Sequence, residues 1–193
     1  MKDEDLMKII EERISYCTAC DLSKTRTKVV PGEGNIHSPI VFVGEGPGED
    51  EDLSGRPFVG RAGQLFDKIL ESAGFVRKDL YITNVVKCRP PDNRVPHQDE
   101  ILACSHFLMA QIAVINPKII VPLGSTALNF FISGSISEMR GKFFDWKGEI
   151  KIFPMFHPSY LLRNQSKAPG SPKALTWDDI RVLKKAYDEI KEK

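Results

Sequence analysis

The segment IVFVGEGPG, residues 40–48, sets the architecture of this chain. Its first four residues form a short apolar run that ends in glycine, which is typical of a strand buried within a parallel sheet. The turn that follows is rich in glycine and proline, and it opens a long loop. Residues 40–43 are therefore predicted to be the first strand of the fold.

Strand-like and helix-like segments alternate outward from this strand. Such alternation predicts an α/β protein, a three-layer α/β/α fold with a central four-stranded parallel sheet, whose ligands bind at the carboxyl ends of the strands. A length of 193 residues fits one domain that spans residues 1–193. The predicted strands are 40–43, 80–86, 118–123 and 150–153, and the predicted helices are 1–16, 61–74, 97–116, 125–132 and 171–193.

Composition narrows the class of protein. No stretch approaches the roughly 20 apolar residues that a helix needs to cross a bilayer. Residues 1–5 carry acidic side chains rather than an apolar signal segment, so we expect a soluble, monomeric, cytoplasmic protein without a membrane partner. The net charge of +1 is too small to indicate a nucleic-acid binder by itself. Acidic residues nevertheless crowd 45–52 and basic residues dominate 140–173, which favours a polarised surface.

The four cysteines form one pattern, with Cys17 and Cys20 close together and Cys88 and Cys104 far along the chain. Disulfides are uncommon in cytoplasmic proteins, so this pattern indicates a metal site that joins the N-terminal helix to the end of the second strand. The spacing suits zinc and an iron–sulfur cluster about equally. The third interpretation of the pattern is that all four cysteines are buried free thiols without a metal.

The segment that the metal group would bracket, beside Cys88 and before Cys104, is basic and rich in proline. It contains Lys87, Arg89, Arg94 and His97. A metal group bound at both ends would hold this stiff loop in shape to meet phosphates, so we assign the group a structural role.

The glycine turn after the first strand resembles a phosphate-binding loop only superficially. It matches neither of the two common nucleotide motifs, and its carboxylates would repel phosphates. A neutral planar ligand fits better, because glycines let backbone N–H groups approach a ring and a carboxylate can face a developing positive charge. Glu45 and Glu51 are the candidate carboxylates, and a solvated acidic turn is the alternative.

Three further side chains each have two interpretations, one functional and one structural. Phe58 lies between basic residues just before a helix, where it could stack on a base or fill the core. Asn84 lies in an apolar strand, where its amide needs partners or a ligand. His157 follows the last strand, at the ligand-binding edge of the sheet, although a lone histidine is more often a packed loop residue.

Together these segments resemble the family-four uracil-DNA glycosylases, the iron–sulfur branch of the uracil-DNA glycosylase superfamily. The turn at 44–48 is similar to the family's first motif, residues 157–163 are similar to its second, and the four cysteines match its cluster ligands in order and spacing. The resemblance implies a [4Fe-4S] cluster on Cys17, Cys20, Cys88 and Cys104. It also implies excision of uracil from single-stranded or double-stranded DNA in base excision repair.

The resemblance further implies a role for each pocket residue. His157 would stabilise the uracil anion at O2, and Asn84 would read the base edge. Glu45 or Glu51 would stabilise the sugar cation and position water, and Glu51 could instead exclude the methyl group of thymine. The implied uracil pocket comprises Glu45, Gly46, Pro47, Phe58, Asn84 and His157.

Two other functions compete with this reading. One is a non-catalytic module of the same fold that holds uracil-containing DNA for other repair proteins. The other is a nucleotide hydrolase that binds zinc through the four cysteines. Strand breakage at uracil separates an enzyme from the non-catalytic module. The identity of the metal separates the iron–sulfur protein from the zinc hydrolase.

Overall fold

The computed structural model describes residues 1–192 and contains helices on both faces of one mixed sheet. Short 3₁₀ turns at Asp21–Lys24, Arg77–Asp79 and Pro91–Asn93 connect the main elements. The strands are β1 (Glu33–Gly34), β2 (Ile40–Gly44), β3 (Tyr81–Asn84), β4 (Ile119–Pro122), β5 (Phe144–Asp145) and β6 (Lys151–Ile152). The helices are α1 (Asp3–Ser15), α2 (Glu49–Ser54), α3 (Arg61–Ser72), α4 (Gln98–Ile115), α5 (Ser125–Phe131), α6 (Ile136–Met139), α7 (Pro158–Arg163) and α8 (Pro172–Lys191).

The sheet has six strands in the order β1-β3-β2-β4-β6-β5. Strand β2 pairs in parallel with β3 on one side and with β4 on the other, and β6 continues in parallel beyond β4. The edge strands β1 and β5 pair antiparallel with their neighbours. The predicted α/β class is confirmed, but the sheet contains six strands rather than the four that were predicted. The two edge strands are two residues long, too short to leave a periodic signal in the sequence.

Alternate residues of the strands enter two separate cores. On one face, Ile40 and Phe42 pack with apolar residues of α3 and α8. On the other face, Val41 and Val43 pack with residues of α1 and α4. Every residue of β2 is buried, because side chains on both faces are covered by helices. The two cores hold the carboxyl ends of β2 and β3 side by side.

Local sequence signals place several helix ends correctly. Gly74 follows α3 with a positive φ of 78°, and its N–H donates to Glu71 O at 2.9 Å, as a glycine at a helix end does. Ser171 caps α8, because its side chain accepts from the Ala174 N–H at 3.4 Å. The predicted end of this helix, Lys193, lies outside the described residues. Within residues 1–192, no helix has both the length and the apolar character needed to cross a membrane.

The acidic segment after the glycine turn is helical rather than a loop. It forms α2, whose first turn is acidic, and carboxylates are favoured at the amino end of a helix. Asp52 is buried there and accepts hydrogen bonds from the backbone N–H groups of Thr27 and Lys28. One of the carboxylates in residues 45–52, that of Asp52, therefore stabilises contacts within the fold.

Candidate active site

The site residues predicted from the sequence line one cavity at the carboxyl edge of the sheet. The cavity has a volume of ≈ 430 Å³, within the usual range for small-molecule sites. Strand register explains why two of its walls meet, since Gly44 at the end of β2 lies opposite Asn84 at the end of β3. The predicted residues in its lining are Glu45, Gly46, Pro47, Glu51, Phe58, Asn84 and His157.

Asn84 presents a buried amide to this cavity. Its side chain is 2% exposed, and its Oδ1 is the one buried side-chain polar atom in residues 1–192 without a hydrogen-bond partner. A Cβ atom on Gly44 would collide with this oxygen and would lie 2.6 Å from Cζ of Phe58. Glycine at position 44 thus lets the amide and the ring converge. Leaving a buried acceptor unpaired is costly, so the arrangement favours a ligand that donates to it.

Phe58 packs in the core and also lines the cavity. The residue is 6% exposed, and its ring packs 5.2 Å from the ring of Phe66 in the core. The same ring lies 5.7 Å from the ring of His157, on the wall of the cavity. Its backbone adopts a left-handed conformation, with φ of 52°, which is unusual for a bulky residue. Such local strain is most often found at ligand-binding sites.

His157 caps the start of helix α7 and has a defined tautomer when it is neutral. Its Nδ1 accepts a hydrogen bond from the Ser159 N–H at 3.1 Å, so the ring proton resides on Nε2. Burial, together with the nearby charge of Arg163, lowers the pKa of His157 to about 4. At neutral pH the side chain is therefore an uncharged hydrogen-bond donor through Nε2.

The low pKa of His157 predicts a pH-dependent stability. The unfolded chain protonates this ring near pH 6.5 but the folded protein only near pH 4, so the unfolded state binds more protons between these values. The free energy of unfolding should consequently fall as the pH falls from 6.5 to 4. We expect His157→Asn, which retains a capping acceptor, to flatten this part of a plot of unfolding midpoint against pH.

An exposed residue that does not titrate supplies the control for this measurement. Asn129→Ala should leave the slope unchanged. A slope that is equal in the wild type and in His157→Asn would contradict the assignment.

The two candidate carboxylates have different environments. Glu51 accepts from the backbone N–H groups of Val59 and Gly60, each at 2.8 Å, and from that of Gly48 at 3.1 Å. These three bonds join the start of α2 to the start of α3. Glu45 instead accepts one hydrogen bond from the Thr126 hydroxyl through Oε2.

Arg61 and Arg163 were given no site role from the sequence, whereas Arg94 belongs to the basic loop that was expected to meet phosphates. Arg61, Arg94 and Arg163 line the cavity and supply positive charge around its acidic turn. Arg163 belongs to the segment at 157–163, which resembles the family's second motif. That resemblance is the sequence signal that could have identified Arg163 as a site residue. Arg94 makes a two-pronged ion pair with the buried Glu100, at 2.8 and 2.7 Å, which places its guanidinium at the rim. This ion pair depends on tertiary structure, so no local sequence pattern predicts it.

The expectation that Lys87 meets phosphates is wrong. Its side chain is 1% exposed, and its Nζ donates to Thr83 Oγ1, the Asn84 carbonyl and Gln111 Oε1 at 2.6 to 2.9 Å. A buried ammonium requires such a full set of acceptors. Lys87 consequently supports the end of β3 from inside the protein.

The four cysteines line a second, separate cavity. All four are free thiols, and the surrounding side chains include the apolar Ile14, Leu22, Val86 and Phe107. Burial raises the pKa of Cys88, and the hydrogen bond that Arg26 donates to its Sγ at 3.2 Å opposes this shift without overcoming it. In the described part of the chain, no three histidine, cysteine or carboxylate side chains are grouped closely enough to hold a single metal ion.

Comparisons with known proteins identify the family. The profile of the Uracil DNA glycosylase superfamily matches residues 31–181. The chain is 60% identical over 166 residues to the Type-4 uracil-DNA glycosylase of Thermotoga maritima, covering 84% of this chain and 86% of that protein. It is 43% identical over 192 residues to the Type-4 uracil-DNA glycosylase of Saccharolobus solfataricus, covering 94% and 87% of the two chains. The chain therefore belongs to the type-4 uracil-DNA glycosylases, within the uracil DNA glycosylase superfamily.

Proposed function

We propose that this protein is a uracil-DNA glycosylase that hydrolyses the N-glycosidic bond of a deoxyuridine turned out of DNA, releasing uracil and leaving an abasic site in base excision repair. The observation that carries this proposal is the buried, unpaired amide of Asn84 beside the Phe58 ring and the neutral His157 in one cavity. Membership of the type-4 family supports the same reaction.

Asn84 selects the base through its amide. Its Oδ1 would accept from uracil N3–H, and its Nδ2 would donate to uracil O4. Cytosine presents the reverse pattern, with an acceptor at N3 and a donor at N4, and would leave buried groups unpaired. Rejection of a base by unpaired buried groups is far stronger than rejection by shape alone.

His157 stabilises the leaving group. Cleavage produces negative charge on uracil O2, and a neutral imidazole can donate to that oxygen through Nε2–H. The bond from the Ser159 N–H to Nδ1 fixes the proton on Nε2, so no reorganisation is needed as charge develops. The ring of Phe58, which is packed against the core, supplies a flat wall for the pyrimidine.

Glu45 is the carboxylate that we assign to water positioning and to stabilisation of the sugar cation. Its neighbour Thr126 hydrogen-bonds one oxygen, Oε2, and the residue lines the cavity. Glu51 has a different role in this scheme, because three backbone N–H groups occupy its oxygens and hold the cavity wall in place. Its position in the cavity lining remains suitable for excluding the methyl group of thymine.

The DNA strand would meet the arginines at the rim of the cavity. Arg61 and Arg163 are exposed there, and phosphate contacts are the main source of affinity for DNA. Turning a nucleotide out of a duplex costs a few kcal/mol, least for a mispaired or single-stranded base. The pocket therefore accepts uracil from either form of DNA.

A strand-cleavage assay tests the function. The purified protein is incubated with an oligonucleotide that contains one uracil, and abasic sites are then cleaved with alkali. Strand breaks at the uracil position are expected, and the matching thymine oligonucleotide serves as the control. Binding of the uracil strand without any break would support a non-catalytic module instead.

We also propose that Cys17, Cys20, Cys88 and Cys104 bind a [4Fe-4S] cluster. Four sulfur donors around one apolar cavity suit such a cluster, and Arg26 would offset its negative charge. When bound, the cluster supplies iron–thiolate bonds that join the end of α1 to the loop after β3 and to α4. That loop leads to Arg94 at the cavity rim, so we assign the cluster a structural role.

The cluster predicts a measurable composition. We expect brown protein that contains iron and acid-labile sulfide in equal amounts. Cys104→Ser should lower the iron content and the unfolding temperature, because a ligand inside α4 is lost. Ser105→Ala, at the neighbouring position, is the control. Stoichiometric zinc without iron would contradict this proposal.

We further propose that the enzyme acts in the cytoplasm as a monomeric single domain. Cysteines that form no disulfides with one another suit a reducing compartment. The two cores share one sheet, which supports folding as one unit. Light scattering at several concentrations gives the molar mass, and a value near 21.7 kDa is expected.

A further inference from the structure

Arg77 contacts the backbone that carries the Phe58 ring. It lies in the 3₁₀ turn before β3, and the residues that line the cavity within 1–192 do not include it. Its Nη2 donates to the carbonyl of Pro57 at 2.6 Å, and its Nη1 donates to the carbonyl of Phe58 at 3.2 Å. One guanidinium thus binds two successive carbonyls of the turn.

That turn has a conformation which needs support. Phe58 adopts a left-handed backbone conformation that costs energy for any residue with a Cβ. From the other side, Glu51 accepts the N–H groups of Val59 and Gly60. The Phe58 backbone also packs directly on α3, where a Cβ on Gly63 would collide with it. Arg77 therefore completes a set of contacts that surrounds the turn.

Arg77 is itself held in a fixed orientation. Its Nη2 donates to Glu33 at 2.9 Å, and its Nη1 donates to Asp67 at 2.5 Å. Burial alone would raise the pKa of Glu33, but hydrogen bonds from Arg56 and Arg77 outweigh that effect and lower it. Glu33 is consequently charged at neutral pH. The planar guanidinium between two carboxylates is directed at the turn in one geometry.

We propose that Arg77 is a positioning residue for base binding, which acts by holding the Phe58 ring at the cavity wall. The proposal rests on the function given above. Without the two backbone contacts the turn would relax toward a conformation with negative φ, and the ring would leave its place beside His157. The flipped base would lose part of its wall before any bond is broken, so the effect should fall on substrate binding rather than on the chemical step.

Arg77→Lys tests this role with the charge toward Glu33 and Asp67 retained. Lysine lacks the planar fork of donors with which Arg77 reaches two carbonyls and two carboxylates at the same time. In single-turnover cleavage of a uracil oligonucleotide, we expect the half-saturating enzyme concentration to rise about tenfold. The maximal rate should change much less. Arg56→Lys is the matched control, because Arg56 pairs with the same Glu33 from an exposed position and should change either value by less than about twofold.

A double-mutant cycle shows whether Arg77 acts through the ring. In a Phe58→Leu background, the additional effect of Arg77→Lys should shrink to less than about twofold, because the coupled partner is already gone. An equal penalty in both backgrounds would indicate a general effect on folding and would overturn the proposal. So would the absence of any penalty in the wild-type background.

Hydrogen exchange provides a readout that is independent of activity. The amide protons of Val59 and Gly60 should exchange faster in Arg77→Lys and at the wild-type rate in Arg56→Lys, because opening of the turn exposes them. Unchanged exchange in Arg77→Lys would refute the positioning role. If the wild-type protein leaves uracil strands intact, the proposed function fails, and the exchange measurement still decides whether Arg77 holds the turn.

Discussion

His157→Ala is expected to slow uracil release by about a hundredfold or more, because loss of one preorganised donor to a developing anion has effects of this size. The neutral ring donates through Nε2 only as charge builds up on uracil O2. The maximal single-turnover rate should therefore fall, while the half-saturating enzyme concentration changes little. Gel analysis of cleaved uracil oligonucleotide under excess enzyme measures both quantities.

Two variants separate this chemical effect from a structural one. His157 also caps α7, so its loss by alanine costs about 1 kcal/mol of stability. His157→Asn retains an acceptor for the Ser159 N–H and should unfold near the wild-type temperature, yet it should be slow because it lacks the imidazole. His106→Ala, at an exposed position, should cleave normally. A wild-type rate in both His157 variants would remove this residue from the mechanism.

Asn84→Asp is expected to change which base is released. An ionised aspartate at this buried position has only acceptors and lacks the amide donor to uracil O4, whereas its protonated form can donate to cytosine N3 and accept from cytosine N4. We expect uracil release to slow by about a hundredfold, since a site built on hydrogen bonds discriminates strongly. The ratio of rates on uracil and cytosine should narrow accordingly.

The measurement compares single-turnover rates on two oligonucleotides that differ only in uracil or cytosine at one position. Asn129→Asp is a suitable control, because Asn129 is exposed on α5 and away from β3. An unchanged ratio of the two rates in Asn84→Asp would show that this amide does not read the base edge.

Side-chain contacts between residues far apart in the chain were beyond sequence reasoning. Lys87 stands among basic loop residues in the sequence, yet its ammonium lies inside the protein with Gln111 of α4 as a partner. Glu51 is one of several carboxylates in a row, and only its bonds to Val59 and Gly60 distinguish it from Glu45. Arg77 lies 19 residues from the carbonyl of Phe58 that it binds, so no local pattern connects the two.

By itself, the sequence determined the alternation of strands and helices, the main helix ends and the edge of the sheet at which a ligand would bind, whereas the set of pocket residues came from the resemblance to a known family. Apolar periodicity and capping residues act over a few positions, and parallel strands bring their carboxyl ends to one edge whatever the surrounding detail. Tertiary structure alone decided the two edge strands, the helix at Glu49–Ser54 and the partners of each buried charge. Those features depend on which groups meet across the fold, because a buried polar atom is defined by its partners rather than by its neighbours in the chain.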